Sequence, residues 1–251
     1  MSASDLLAPV ASVLLFALGA LVIGLYAYSA VWAFRIRRAL MSPIFKDRAG
    51  WVGIAGLNFT ILVSSNLLIR FFAPNDFYLS FLLYCIVDAA GIVTLAWIDT
   101  TIKLARRSDP LNRNTFLWKQ LRYFVWFFTF VTTAGSLFSV VYLRVNYFNS
   151  AGGNGGAFTA GSFGWVFLGF IALYLSFRRS RDPILREHLK WLGLFLFLLL
   201  LEDTVLSGNS IILRIAGLAV LAIDAYFLYR AVKSLAPLSK TPLVRNLDSA
   251  T

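Results

Sequence analysis

The sequence predicts an all-α protein, a polytopic bundle of seven transmembrane helices with its N-terminus outside and its C-terminus in the cytoplasm. Of its 251 residues, 59% are hydrophobic and 14% are charged, with a mean hydropathy of +0.74. Soluble domains average about 45–50% apolar and about 25% charged residues. Seven stretches approach the roughly 20 apolar residues that a membrane helix needs. Lysine and arginine are concentrated on one side of these stretches, which orients the bundle.

The spans follow from the apolar stretches in chain order. They lie near 7–34, 51–72, 77–102, 122–143, 161–177, 191–207 and 210–231. The first is longer than the apolar region of a signal peptide and no basic segment precedes it, so we expect a retained anchor. The last two are short and tightly joined, as in one hairpin of two steep helices. We place the membrane domain at 1–235 and a cytoplasmic tail at 236–251.

The basic residues decide the orientation. Of 23 Lys and Arg residues, 20 fall in the first, third and fifth connecting segments and the tail, leaving Arg70, Arg144 and Arg214 on the other side. The positive-inside rule then places the N-terminus outside, which requires an odd number of spans. The net charge of +11 is explained as charge facing anionic lipid. Division among four short segments argues against nucleic-acid binding, so we expect membrane lipids as partners and no nucleic acid.

Composition also excludes several classes of site. One cysteine, Cys85, excludes an internal disulfide and a cysteine zinc site. One histidine, His188, argues against bis-histidine haem and di-iron centres, and we expect it to be a solvated residue at the cytoplasmic surface. A Gly-rich phosphate loop followed by lysine is absent from the sequence. We therefore expect no metal and no cofactor.

Two cytoplasmic segments match each other. Residues 43–54 read PIFKDRAGWVGI and residues 183–194 read PILREHLKWLGL, with proline and tryptophan at the same spacing. Near the cytoplasmic ends of spans three and seven, Ile precedes Asp99 and Asp224. These matches indicate that helices 1–3 and 5–7 are parallel repeats joined by helix 4, a 3+1+3 arrangement found in some transporters. The alternative is that the two segments are alike only because both connect helices at the membrane interface, where proline ends one helix and tryptophan marks the interface.

Carboxylates within the spans are the first candidate site, because ionisable residues in hydrocarbon are costly and usually functional. Asp88 and Asp99 are eleven residues apart in span three and share one helix face, and Asp224 lies in span seven. Asp88, near mid-membrane, suits a proton carrier, a cation site or a general acid. The alternative is an interhelical hydrogen bond to a polar residue of span two. Those residues are Asn58, Ser64, Ser65 and Asn66.

A second group of charges is predicted at the outer face. It consists of Arg70, Asp76, Arg144, Glu202, Asp203 and Arg214. Structural ion pairing is the simpler interpretation, and an anion or polar-headgroup site is the alternative, because arginine captures carboxylate and phosphate bidentately. In a binding site, Arg70, Arg214, Glu202 and Asp203 would form an outer gate above the carboxylates.

The segment 177–193, FRRSRDPILREHLKWLG, resembles the junction of the fifth and sixth helices in bacterial seven-helix sensor modules. Such modules usually precede a histidine kinase or cyclase. The sequence contains no such output domain, so the resemblance implies that a signal passes to a separate cytoplasmic partner.

Two other families are considered from the same residues. Microbial rhodopsins also have seven helices, but their retinal needs a lysine in mid-helix seven; position 228 is leucine here, so no retinal is expected. Small fungal membrane-bound terpene cyclases are similar in length, and the stretch 208–224 resembles theirs, but span two has no carboxylate.

Three functions remain. The first is a non-enzymatic receptor-like or carrier-like protein that holds a small ligand or ion between helices 2, 3, 6 and 7. The second is a membrane enzyme that acts on a lipid or isoprenoid through Asp224 or Glu202. The third is a structural subunit of a larger membrane complex, with other membrane subunits as partners.

Overall fold

The computed structural model describes residues 3–72, 77–107, 115–143, 156–201 and 211–239. Over these ranges the protein is all-α, with seven α-helices and no strand. The helices are α1 (Ala3–Ala39), α2 (Pro43–Phe72), α3 (Phe77–Arg107), α4 (Thr115–Leu143), α5 (Gly156–Arg179), α6 (Pro183–Leu201) and α7 (Ile211–Lys233). A short 3₁₀ helix, Ala236–Ser239, follows α7.

The helices extend beyond the predicted spans into the basic segments. Only residues 40–42 separate α1 from α2, and only residues 180–182 separate α5 from α6. The helix after each of these connections begins at a proline, Pro43 for α2 and Pro183 for α6. Proline favours the first helical position because its missing N–H needs no partner there. Asp182 caps α6 by accepting a hydrogen bond from the backbone N–H of Ile184 at 2.9 Å. We call the end of the bundle that carries these basic segments the basic end.

Six helices close into a ring. In order, α1 packs on α2, α2 on α3, α3 on α5, α5 on α6, α6 on α7, and α7 on α1. Helix α4 lies outside this ring, mainly against α5. If α1, α2 and α3 are exchanged with α5, α6 and α7, each contact between two helices of the ring corresponds to another contact that is also present in the ring.

Aromatic side chains fill the interior of the ring. Tyr26 of α1 stacks on Phe59 of α2 with ring centroids 5.1 Å apart. Phe195 of α6 meets Phe59 edge-on at 5.5 Å and Trp97 of α3 edge-on at 5.4 Å. All four side chains are at most 5% exposed. Such ring pairs contribute about 0.5–1.5 kcal/mol each beyond their buried area, so one cluster joins four helices.

The outer surface is apolar along much of its length. On α4, the side chains of Tyr123, Phe124, Phe127 and Phe130 are 65–73% exposed. Two helices in the described part of the chain are long and apolar enough to cross a membrane, Ala11–Ala39 and Leu213–Leu238. They support association with a membrane and coincide with the first and seventh predicted spans. The other five spans stay a prediction.

Candidate functional site

The described part of the chain places four of the predicted site residues. Asn58, Asp99 and Asp224 are buried within the bundle, at 6%, 5% and 0% exposure. Arg214 is half-buried in the first turn of α7. The three buried residues lie on different helices of the ring.

The other predicted site residues lie wholly or partly outside the described residues. Asp88 is on α3, and Asn66 and Arg70 are on α2, but the structure does not describe their side chains. Glu202 and Asp203, together with Asp76 and Arg144, fall outside the described ranges. The predicted outer gate and the central role of Asp88 therefore stay predictions.

Asp224 forms a buried polar contact between α7 and α1. The hydroxyl of Tyr26 donates a hydrogen bond to its Oδ2 at 3.0 Å, and both residues are fully buried. One turn away on α1, the hydroxyl of Ser29 approaches the carbonyl of Ala225 at 3.3 Å. The Tyr26 ring also belongs to the aromatic cluster, so the carboxylate of Asp224 lies beside the apolar interior of the ring.

Asn58 links α2 to α3. Its side-chain amide donates to the carbonyl of Ala90 at 2.6 Å and to the hydroxyl of Thr94 at 2.5 Å. Asn58 thus joins span two to span three through Ala90 and Thr94, and the predicted hydrogen bond between Asp88 and span two stays a prediction, because the Asp88 side chain lies outside the described residues. The carbonyl of Ala90 also accepts a hydrogen bond from the hydroxyl of Thr94 at 3.0 Å.

Asp99 is an ion-pair residue. Arg122 of α4 binds both carboxylate oxygens, Nε on Oδ1 and Nη2 on Oδ2, the latter at 2.7 Å. Lys103, one turn along α3, lies 3.1 Å from Oδ2. Two cations on one carboxylate explain how Asp99 is tolerated in the bundle, and the pair with Arg122 ties the outlying α4 to α3.

The expectation for His188 was wrong. Its side chain is 0% exposed, and Nδ1 bonds to the carbonyl of Ala231 at 2.7 Å. Because a carbonyl only accepts, Nδ1 carries the hydrogen. Burial, with a further contribution from the charge of Arg48, lowers the pKa of His188 to about 3, so the imidazole is neutral at neutral pH. The reason is that α6 starts at Pro183, which places position 188 in the second turn, against α7.

Arg48 is the counterpart of His188 in the first matching segment. It is 3% exposed, and its Nη2 donates to the carbonyl of Leu104 at 2.7 Å. Burial lowers the pKa of Arg48 to about 10, which leaves it charged at neutral pH. Each residue thus bonds a carbonyl near the basic end of the next helix, α3 for Arg48 and α7 for His188. The signal was present in the sequence, because both residues stand five positions after proline.

The buried polar residues Arg48, Asn58, Asp99, His188 and Asp224 each bond to a group on a neighbouring helix. Among the described residues no group of three His, Cys, Asp or Glu side chains is placed to hold a metal ion. Asp224 with Tyr26 is the contact that combines a buried carboxylate with the aromatic interior, and it is therefore the candidate binding site.

No family model, curated protein or solved structure matches the chain. The resemblance of residues 177–193 to sensor modules therefore stays an expectation. The structure shows that this segment contains the three-residue connection between α5 and α6 and the buried His188.

Proposed function

We propose that the protein is a seven-helix integral membrane carrier or receptor that binds a small ligand or ion inside the bundle, with Tyr26 and Asp224 as the polar contact. The observation that carries the proposal is the order of the ring, in which helices 1–3 and helices 5–7 make equivalent contacts. The carrier alternative is favoured over the receptor by this order.

Side chains at the basic end support a membrane interface there. Arg230 and Lys190 lie over the Trp191 ring at 4.6 and 5.1 Å, and Lys233 lies 5.9 Å from the Tyr229 ring. Tryptophan and tyrosine are enriched at membrane–water interfaces, and lysine and arginine on the cytoplasmic side. The pairing of both kinds of side chain at one end favours the predicted orientation.

The ring supports two parallel repeats. Helix α1 corresponds to α5, α2 to α6 and α3 to α7, while α4 serves as the linker. The connections 40–42 and 180–182 are equal in length and precede equivalent prolines. Arg48 and His188 then make equivalent bonds. Carriers built from such repeats bind their substrates at the interface between the repeats and move one repeat against the other.

The Tyr26–Asp224 contact lies at one of the two junctions between the proposed repeats, α1 with α7. At the other junction, α3 with α5, the hydroxyl of Ser176 donates to the carbonyl of Ala105 at 3.1 Å. Movement of one repeat against the other would separate Tyr26 from Asp224 and expose the carboxylate to a polar ligand or cation. This is the reason for assigning the site to Asp224.

The test is native mass spectrometry of the protein extracted gently from its own membrane, which detects a small molecule retained by the chain. We expect Asp224→Asn to lose that mass and Asp47→Asn, a change at an exposed aspartate, to keep it. Retention by Asp224→Asn at normal expression would contradict the assignment of the site.

A second candidate, a subunit of a larger membrane complex, is favoured by α4. This helix is peripheral to the ring and presents Phe127 and Phe130 at 68% and 73% exposure. The same mass spectra distinguish the two candidates, because a stoichiometric assembly with other polypeptides and no ligand would identify a subunit.

A further inference from the structure

A pocket of about 380 Å³ opens at the basic end between α1 and α2. It is lined by Phe34, Arg37, Arg38 and Lys46. We propose that this pocket binds a phosphate-bearing anion, and that the phosphate headgroup of an anionic lipid is its occupant in the membrane. The chemistry depends on the pocket alone, whereas the lipid as the source rests on the membrane placement proposed above.

Two glycines of α2 make room for the side chains of the pocket. A Cβ atom at Gly50 would lie 3.1 Å from Nε and 3.2 Å from Cδ of Arg37. A Cβ atom at Gly53 would lie 3.0 Å from the Phe34 ring. The side chains of Arg37 and Phe34 therefore pack directly against α2. This contact holds one wall of the pocket in place.

Among the described residues, no carboxylate forms an ion pair with the cations of the pocket. Arg37, Arg38 and Lys46 are exposed, and none of them forms an ion pair with a described residue. Asp47, the neighbour of Lys46, is not part of the lining. Arginine presents a planar fork of N–H donors that matches phosphate oxygens, and lysine adds a point charge. Three cations around one volume therefore select a phosphate over a neutral ligand.

The matching segment of the chain shows that the pocket is specific to this place. Arg186, the counterpart of Lys46, lies over the ring of Phe177, the counterpart of Arg37, at 4.7 Å. The counterpart of Gly50 is Lys190. The equivalent position between α5 and α6 is thus occupied by the protein's own side chains, whereas the position between α1 and α2 is open.

The test compares three variants of the full chain in phosphatidylcholine nanodiscs. The first, Arg37→Gln/Arg38→Gln/Lys46→Gln, removes the charges of the pocket. The second, Gly50→Leu, crowds Arg37 without changing the charge, since the atoms nearest to a Cβ atom added at Gly50 belong to the flexible side chain of Arg37.

The matched control is Arg178→Gln/Arg181→Gln/Lys190→Gln, which removes the same charge from exposed residues at the equivalent end.

The probes are phosphatidylglycerol, titrated into the nanodiscs and counted by native mass spectrometry, and soluble glycerol 3-phosphate, followed by calorimetry. We expect at least tenfold weaker phosphatidylglycerol binding in the pocket triple variant and in Gly50→Leu, and less than a twofold change in the control. Binding of glycerol 3-phosphate as tight as that of the lipid would identify a free phosphate compound as the source instead.

Equal weakening in both triple variants, or normal binding by Gly50→Leu, would overturn the proposal, since binding would then follow net charge and not the pocket. Asp224→Asn leaves the pocket intact, so we expect it to bind phosphatidylglycerol normally. The outcome for the pocket is therefore distinguishable from the outcome for the proposed site at Asp224.

Discussion

Buried polar residues in this protein form hydrogen bonds between helices. Tyr26, Asn58 and Arg48 each reach a group on another helix, and in two of the three cases the acceptor is a backbone carbonyl. A buried polar group without a partner costs about 1–3 kcal/mol. Pairing across helices removes that cost and fixes which helix faces which.

The Tyr26 hydroxyl is the first such contact to test. Tyr26→Phe keeps the ring stacked on Phe59 but deprives Asp224 of a buried donor. We expect a loss of about 1–3 kcal/mol in the free energy of unfolding, measured by denaturant titration in detergent. Tyr28→Phe is the control, because Tyr28 is 54% exposed. Equal stability of the two variants would show that the hydrogen bond contributes nothing.

His188 makes the stability of the protein depend on pH. The folded protein lowers the pKa of His188 from 6.5 to about 3, so below pH 6.5 the unfolded chain binds a proton that the folded chain does not. Stability is therefore full above pH 6.5 and is lost progressively as the pH falls towards 3. Between pH 7 and pH 5.5 we expect a loss of about 1 kcal/mol from this group.

Denaturant titrations at pH 7 and pH 5.5 measure this loss, in a range above the ordinary titration of carboxyl groups. His188→Gln removes the titrating group and keeps a donor for the carbonyl of Ala231. This variant is expected to lose little stability over the same range. The same pH dependence in the variant would mean that another group is responsible.

Close contact between helices depends on small residues at particular places. Gly56 of α2 lies against the backbone of α1, where an added Cβ atom would be 3.0 Å from the carbonyl oxygen of Tyr26 and 3.1 Å from the backbone nitrogen of Ala30. Gly169 of α5 is as tightly placed, with Leu196 and Ile98 at 2.9 and 3.0 Å. These glycines set the distances between helices in the ring.

Gly56→Ala is expected to destabilise the protein, because backbone cannot move aside as a side chain can. We expect about 1–3 kcal/mol lower stability, the usual cost of overpacking, and a lower Tm in detergent. Gly24→Ala is the matched control, since no atom lies within 4 Å of a Cβ atom added at Gly24. A similar loss in both variants would point to a general effect of helix substitution instead.

Over the described ranges, six helices form a ring and a seventh lies outside it, and the orientation of this bundle in a membrane is a prediction from charge. Single cysteines test it in a Cys85→Ala background. We expect an impermeant maleimide to label Ser150→Cys in intact cells, because that residue lies between the predicted spans 122–143 and 161–177, on the predicted outer side. Ser180→Cys, between α5 and α6, is expected to react only after lysis. The reverse pattern would invert the topology.

The sequence predicted where the helices of the described residues lie, because their signal comes from residues close together in the chain. Each of the seven described helices overlaps one predicted span, which confirms the all-α class, while membrane crossing by the helices other than α1 and α7 stays a prediction. The sequence did not identify Arg122 as a partner of Asp99, or Tyr26 as a partner of Asp224. Those partners lie on other helices, and one chain's periodicity does not specify which faces meet.

The amino-acid sequence alone determined the all-α class, the approximate positions of the described helices and the two matching segments, because hydrophobic length and local spacing are properties of the chain itself. Only the tertiary structure decided that α4 stands outside the ring, that His188 is buried and that a basic pocket lies between α1 and α2. Each of these depends on packing between residues distant in the chain, where side-chain shape and the need to satisfy buried polar groups select one arrangement.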